Sequence, residues 1–323
     1  MTQQPSFPQA EFADKKKRTR REKFLARMEA LIPWPKLLAV IEPFYSKGER
    51  GRPSVGLERL LRVYFLQQWS GLAAEALEEA RYDRQALRGF ARIDLAAEGV
   101  PDATTLLKFR RLLETHALCK GLFTAINADR TARGLLLRAG TLVDATLIAA
   151  PPATKNQAKK RDPEMPQTRK GNQWYFGMKA HIGADRDSKL VHPVVVTAAN
   201  VADITKTAER LPGQEQQVHA DAGYTGVEKR EEIVALERKI DWQIARKRGQ
   251  IKTMAEGAEK ETLKPIEKAK ASVRAFVEHP FHILKNLFRH RKVRCRGLAK
   301  NGHQLYTLFG LANVGIGGRT ATP

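Results

Sequence analysis

Cysteine is nearly absent from the chain: Cys119 and Cys295 are the only two in 323 residues. Far apart and without a second pair, they exclude a disulfide framework and a cysteine metal site, and they point to a reducing cytosolic compartment. No run reaches the roughly 18 apolar residues that a bilayer requires. The opening stretch MTQQPSFPQAEF lacks the charged-then-apolar order of a secretory leader. The eight histidines are scattered; His279 and His282, three apart, do not make a zinc site by themselves. There is no internal repeat and no low-complexity domain. Acidic residues are scarce as well, 35 against 57 Lys plus Arg, leaving a net charge of +22. Such an excess repels itself unless a polyanion is met, so nucleic acid is the leading partner and an anionic membrane surface the alternative.

What is present begins with a polar tail, residues 1–23, ending in Lys15, Lys16, Lys17, Arg18, Arg20 and Arg21. It reads equally as a phosphate-contacting arm and as a solubilising one. From Phe24 the apolar period is helical: Phe24, Leu25, Met28, Leu31 and Ile32 precede the stop at Pro33. A short helix over Leu37–Ile41 must end before Pro43. After the break at Gly51, Arg52 and Pro53, helices are expected from Leu57, over Ala73–Tyr82 and Gln85–Ala91, and from Pro101 or Asp102 to Glu114. Asp102 is placed to cap the last of these. Residues 24–136 therefore read as an all-helical unit. Its cations Arg59, Arg62, Arg84, Arg88, Lys108, Arg110 and Arg111 are candidates for a DNA groove or for a solvated face.

Near Gly140 the period changes. Thr141–Ile148 is a β-branched, apolar strand interrupted by Asp144, a carboxylate that must be exposed, paired or holding a cation. A basic loop is expected from Pro151 to Asn172, then a hairpin of Trp174–Gly183 and Leu190–Thr197 around a turn at Ala184–Ser188. Next come a helix over Ala202–Leu211, a strand at Gln217–Ala220 delivering Asp221 to the small residues Ala222 and Gly223, a helix over Val227–Arg238 and a strand at Asp241–Ala245. A charged loop or exposed insert covers Lys247–Lys264. Pro265 suits a first turn and opens the helix bearing Glu278, which Pro280 should kink. A second cationic strip, Arg289, Arg291, Lys292, Arg294, Arg296 and Lys300, precedes a closing apolar helix at Gln304–Val314. The order from Gly140 is that of an α/β ribonuclease H-like domain, a mixed sheet flanked by helices, over residues 137–323.

On the late helix Val273, Phe276, Val277, Phe281, Leu284, Leu287 and Phe288 form one apolar face, and Arg274, Glu278 and Lys285 share a narrow arc on its border. By itself the arc is accounted for by an Arg274–Glu278 surface pair. In a ribonuclease H-like sheet, however, the strands of Asp144 and Asp221 are neighbours and the late helix packs beside them. Three converging carboxylates repel one another, whereas two Mg²⁺ ions would turn them into a site for in-line displacement at phosphorus. Asp203 reads as a helix cap rather than a fourth acid, and Asp185 and Asp187 as turn residues. Trp174 and Tyr175 read as sheet core, with stacking on an extruded base the alternative. Lys179 and His181 face either DNA or solvent.

The stretches VDATLI around Asp144, HADAGYTG around Asp221 and R-x₃-E-x₆-K at Arg274, Glu278 and Lys285 resemble those of the DDE transposases of bacterial insertion sequences, in the group named after insertion sequence five. PDATTLLKFRRLLE, GNQWYFGMKAHIG and KVRCRGLAKN extend the resemblance over most of the chain. It implies that Asp144, Asp221 and Glu278 bind two Mg²⁺ ions, for which Mn²⁺ can substitute, and that Arg274 and Lys285 lie near the DNA or the acids. One position departs: the signature often begins with Tyr three residues before the Arg, where Ala271 stands here. The implied activity is metal-dependent cleavage at the ends of a mobile element followed by strand transfer. Its partners are double-stranded DNA, both terminal inverted repeats and target, bound by a homodimer or larger assembly in the bacterial cytoplasm at the nucleoid. A structure-selective nuclease on the same fold and a non-catalytic DNA-binding remnant are the alternatives; retention of all three acids counts against decay.

Overall fold

The computed structural model describes residues 17–46, 55–96, 99–137, 139–152, 154 and 160–320. The break at Gly51, Arg52 and Pro53 and the tail cations Lys15 and Lys16 lie outside the described residues. The chain divides into two compact units, up to residue 126 and from residue 127.

The described part of the first unit is helical. Helix α1 (Arg20–Leu31) begins earlier than its apolar period because Thr19 and Glu22 form a capping box. Arg20 and Arg21, read as tail, therefore stand in its first turn. Helices α2 (Trp34–Ile41), α3 (Leu57–Ser70), α4 (Ala74–Asp83), α5 (Gln85–Ala91) and α6 (Ala103–Thr115) follow the expected pattern. Asp102 caps α6, its carboxylate accepting from the Thr105 N–H at 2.6 Å, and these bonds hold its pKa down to about 2. Trp34, Phe65, Trp69 and Phe90 pack into one aromatic cluster with centroids 5.4–6.0 Å apart.

Among the cations proposed for a DNA groove, Arg62 is withdrawn from solvent. Its side chain is 1 % exposed and reaches Glu29 at 2.5 Å and Glu58 at 2.7 Å, with the guanidinium 4.0 Å from the Trp34 ring centroid. Arg88 is also occupied, donating to the carbonyls of Arg81 and Tyr82. Arg84, Lys108 and Arg111 remain exposed.

Helix α7 (Leu118–Ala132) carries the chain into the second unit. There β1 (Gly140–Ala149) is the central strand. It pairs antiparallel with β3 (Gln173–Asp185), which pairs in turn with β4 (Val191–Ala198), and parallel with β5 (Gln217–Ala220), beyond which lies β6 (Asp241–Ile244). This mixed sheet with flanking helices is the ribonuclease H-like arrangement. The expected loop before the hairpin contains an additional strand, β2 (Gln167–Lys170), paired with the start of β3. Gly177 is required where β3 closes on β1: its φ is +154° and a Cβ there would stand 2.1 Å from the Ile148 carbonyl oxygen. The turn reading at Asp185 holds, since its carboxylate accepts from the backbone of Asp187 and Ser188.

Several helices are shorter than their periodicity. Ala202–Leu211 forms two 3₁₀ turns, and Val227–Arg238 a 3₁₀ turn followed by α8 (Glu231–Val234). The charged insert contains α9 (Arg248–Thr253) and the start of α10 (Ala258–Arg274), so Pro265 lies inside α10 rather than in its first turn. Glu278 is on a separate helix, α11 (Glu278–His282), after a 3₁₀ turn at Ala275–Val277. Pro280 supplies the cause, having no N–H for the Phe276 carbonyl. A π turn, Ile283–Leu287, follows. These departures from a uniform twist leave Phe276 and Leu287 43 % and 52 % exposed, while Val277, Phe281, Leu284 and Phe288 are buried as expected.

The C-terminal helix α12 (Leu298–Thr320) is buried along most of its length. The Asp162 and Glu164 carboxylates accept from its leading N–H groups at Gly297 and Leu298, each at 2.7 Å. Asn313 bonds both the N–H and the carbonyl of Val191 and the side chain of Asn127. No helix among the described residues is long and apolar enough to cross a membrane.

Candidate active site

Asp144 sits within β1, its side chain 13 % exposed. One oxygen accepts from the Ala145 N–H at 2.7 Å, and the other lies 3.5 Å from Arg274 Nη2. Burial pushes the carboxyl up to about 6; the Ala145 bond and Arg274 oppose this, and the charges of Asp221 and Glu278 add to it.

Asp221 follows β5 directly. The β1–β5 ladder runs in parallel register through Leu142 and His219, so two further residues along each chain bring Asp144, midway along β1, level with Asp221 at the carboxyl end of β5. The Asp221 carboxylate accepts from the Gly223 N–H at 2.8 Å, capping the 3₁₀ turn Ala222–Tyr224. A Cβ on Gly223 would stand 3.0 Å from that oxygen, a tight contact.

Glu278 is held over the sheet by its buried neighbours Val277 and Phe281, but its own side chain is 64 % exposed. Arg274 Nη2 stands between two acids, 3.5 Å from Asp144 and 4.0 Å from Glu278. Its Nε is buried with no hydrogen-bond partner. Beyond Glu278 opens a cleft of about 430 Å³ lined by Thr146, Phe281, His282, Lys285, Asn286 and Arg291. Thr146 shares the Asp144 face of β1, two residues on. Burial, and next Lys170, hold the Lys285 ammonium below its ordinary pKa, with Glu278 pulling the other way.

Two family models match the sequence. Residues 136–314, more than half of the chain, match the transposase DDE domain, and residues 13–112 match the transposase domain DUF772. The chain belongs to the DDE transposases. No solved structure matches it.

Transposases of this family work with divalent metal ions, and the chemistry of the acids suits such ions. All are hard oxygen donors, and the Asp144 anion is penalised by burial and by like charges, relieved in part by the Ala145 N–H and by a long contact to Arg274. Among the described residues no three His, Cys, Asp or Glu side chains are gathered closely enough to hold an ion as they stand.

The transposase also contains a buried network that the sequence did not disclose. Arg210, fully buried, uses all five of its donors. Nε binds the Lys206 carbonyl; Nη1 binds the Asp144 carbonyl at 3.2 Å and Tyr224 Oη at 3.0 Å; Nη2 binds the Asp203 carbonyl and Thr207 Oγ1. It thereby ties β1 at Asp144 to the turn that follows Asp221. Its partners are largely backbone carbonyls, which every residue possesses, so no motif could announce them.

Four other expectations change. The Asp203 side chain caps no helix; it pairs with Lys179 at 2.9 Å and lies 3.6 Å from His181. Lys179 is accordingly engaged rather than facing DNA or solvent. His181 is fully buried, bonds Thr197 at 2.7 Å, and is pushed down to about 4 by burial and then by Arg210. Trp174 is not sheet core but 57 % exposed, opposite the exposed Arg169 on the β2–β3 hairpin. In the second cationic strip, Arg291, Lys292, Arg294, Arg296 and Lys300 are exposed, and the backbone at 291–293 bonds to Ala149 at the end of β1.

Proposed function

We propose that this transposase cleaves DNA at the ends of an insertion sequence and joins the freed ends to target DNA. In the first step water attacks the phosphodiester, the P–O bond to the 3′ oxygen breaks, and a 3′ hydroxyl is released. In the second that hydroxyl attacks a target phosphodiester, forming one P–O bond and displacing another 3′ oxygen. Asp144, Asp221 and Glu278 are assigned as ligands of two Mg²⁺ ions, with Mn²⁺ able to substitute. When bound, such ions supply Lewis-acid stabilisation of the attacking and leaving oxygens. Arg274 and Lys285 are assigned to the phosphate, on which their charge offsets the build-up of negative charge. Arg291, Lys292 and the neighbouring cations hold the duplex backbone without reading sequence. Both terminal inverted repeats are handled together by a homodimer or larger assembly, at the nucleoid of a bacterial cytoplasm.

The observation that carries the proposal is the juxtaposition of a buried Asp144, whose anion is disfavoured by burial, with Asp221 just beyond the adjoining strand and Glu278 nearby. The test uses duplexes ending in the inverted repeats that flank the gene. Cleavage with Mg²⁺ should be lost in Asp144→Asn, Asp221→Asn and Glu278→Gln, and pre-cut ends should be joined to a target plasmid. Unchanged cleavage in the three variants would sink the assignment. Cleavage without joining would instead identify a structure-selective nuclease.

A further inference from the structure

β3 runs on past its last ladder partners in the main sheet, Ala149 on β1 opposite Gly177 and Ala198 on β4 opposite Met178. From Phe176 back to Gln173 it pairs with β2, and the two strands leave the sheet as a ribbon closed by the two-residue turn Gly171–Asn172. The turn is pinned. Gly171 supplies a φ of +62°, and Arg169 donates to the Gly171 carbonyl at 3.0 Å and to Asn172 Oδ1 at 3.3 Å. At the root the Arg161 guanidinium lies 4.0 Å from the centroid of the Phe176 ring. A ribbon of two strands is marginal in water unless its apolar side chains are packed on something. Here Trp174, the largest side chain of the ribbon, is exposed, with Gln167, Arg169, Lys170 and Gln173 exposed around it. No acidic residue occurs from Met165 to Ala184.

The ribbon leaves beyond Ala149, the carboxyl end of β1, and β5 runs parallel to β1 with Asp221 at that same end. Asp144 stands opposite Ile182 on β3, and Trp174 follows eight residues further along that strand, a reach of about 26 Å. Lys170 is close enough to Lys285, in the wall of the cleft beyond Glu278, for the two charges to repel. The major groove of B-DNA, about 12 Å wide, admits a two-stranded ribbon, whereas the minor groove, about 6 Å wide, is too narrow. We propose that β2–β3 is an arm that lies in the major groove of the duplex held at Asp144, Asp221 and Glu278, within about eight base pairs of the scissile bond. Trp174 and Gln173 meet base edges there, and Lys170 meets a flanking phosphate. The proposal rests on the reading of those three acids as the cleavage site.

The experiment uses the full chain in EDTA with duplexes ending in the flanking inverted repeat, each carrying one 5-bromouracil in place of a thymine at a different distance from the repeat's tip. The C5 position faces the major groove, and irradiation joins it to an aromatic side chain in contact. Crosslinks to the peptide containing Trp174 are expected within about eight base pairs of the tip. Trp174→Ala should abolish them and weaken duplex binding about five- to tenfold, and Lys170→Gln should lower the slope of log affinity against log salt concentration by about one. Crosslinks confined to other peptides, or unchanged affinity and salt slope in the two variants, overturn the proposal. Acid-dependent cleavage on adding Mg²⁺, with no crosslink at Trp174, dismisses the arm alone; crosslinks at Trp174 without any cleavage fault the acids and leave the arm standing.

Discussion

Arg210 grips Asp144 by its backbone, not by its charge: Nη1 donates to the Asp144 carbonyl at 3.2 Å while the same nitrogen reaches Tyr224 Oη. The carboxylate is thus left for other work while the strand beneath it is fixed against the turn after Asp221. A lysine has three donors on a point charge and cannot reproduce five directed bonds. Arg210→Lys should raise the Mg²⁺ concentration needed for half-maximal cleavage by about 10- to 100-fold. A Mg²⁺ titration checks this, with Arg210→Leu as a second variant; unaltered Mg²⁺ dependence in both would leave Arg210 a purely structural residue.

Asp144 should make the metal-free protein less stable than it could be. Its pKa is about 6 when folded against 3.8 ordinarily, so between those values the folded state holds more protons and stability falls as pH rises. Above about pH 6 the penalty is complete. Asp144→Asn removes it and should stabilise the metal-free protein by about 1–3 kcal/mol near neutral pH, with a smaller gain near pH 4. Thermal midpoints measured at the two pH values decide; equal gains at both would contradict the linkage.

The buried imidazoles have the opposite sign of shift. His181 and His290 are pushed down to about 4 and about 3 by burial, and both His290 ring nitrogens lack partners. Below the ordinary value of 6.5 the unfolded chain takes up protons that the folded chain refuses, so stability declines as pH falls from about 6.5 toward 4. Replacing His290 with Leu should flatten that decline, as measured by urea unfolding across the window.

Arg62 tests the first unit. Truncation to Ala leaves Glu29 and Glu58 with Arg92 alone and removes the packing on Trp34. A loss of about 1–3 kcal/mol is expected, against less than about 0.5 kcal/mol for Arg111→Ala at an exposed position. Urea midpoints of the two variants give the comparison.

The elements that were legible in advance are those whose signal is local. β5 was readable because Gln217–Ala220 is a short apolar-alternating run bounded by a turn and by Asp221, and α6 because Asp102 announces its cap. Asp144 and Asp221 stood out because a carboxylate in or just after an apolar strand needs a reason. What escaped depends on partners far away in sequence. β2 exists because β3 extends far enough to pair with it. Arg62 and Lys179 looked like surface cations because sequence alone gives no sign of Glu29 or Asp203 as their acids. The helical wheel of residues 271–288 failed in detail because Pro280 and the π turn change the rotation per residue.

The bonds of Asn313 set an order of events. Val191 lies on β4, yet its N–H and carbonyl are met by a side chain 122 residues later. On a ribosome adding about 5–20 residues each second, β4 must therefore wait several seconds for that partner. Contacts of such long range are also the slow ones to form from an unfolded chain. Assembly of this sheet is thus sealed late, by the arrival of α12, and a growing chain is exposed at β4 until then.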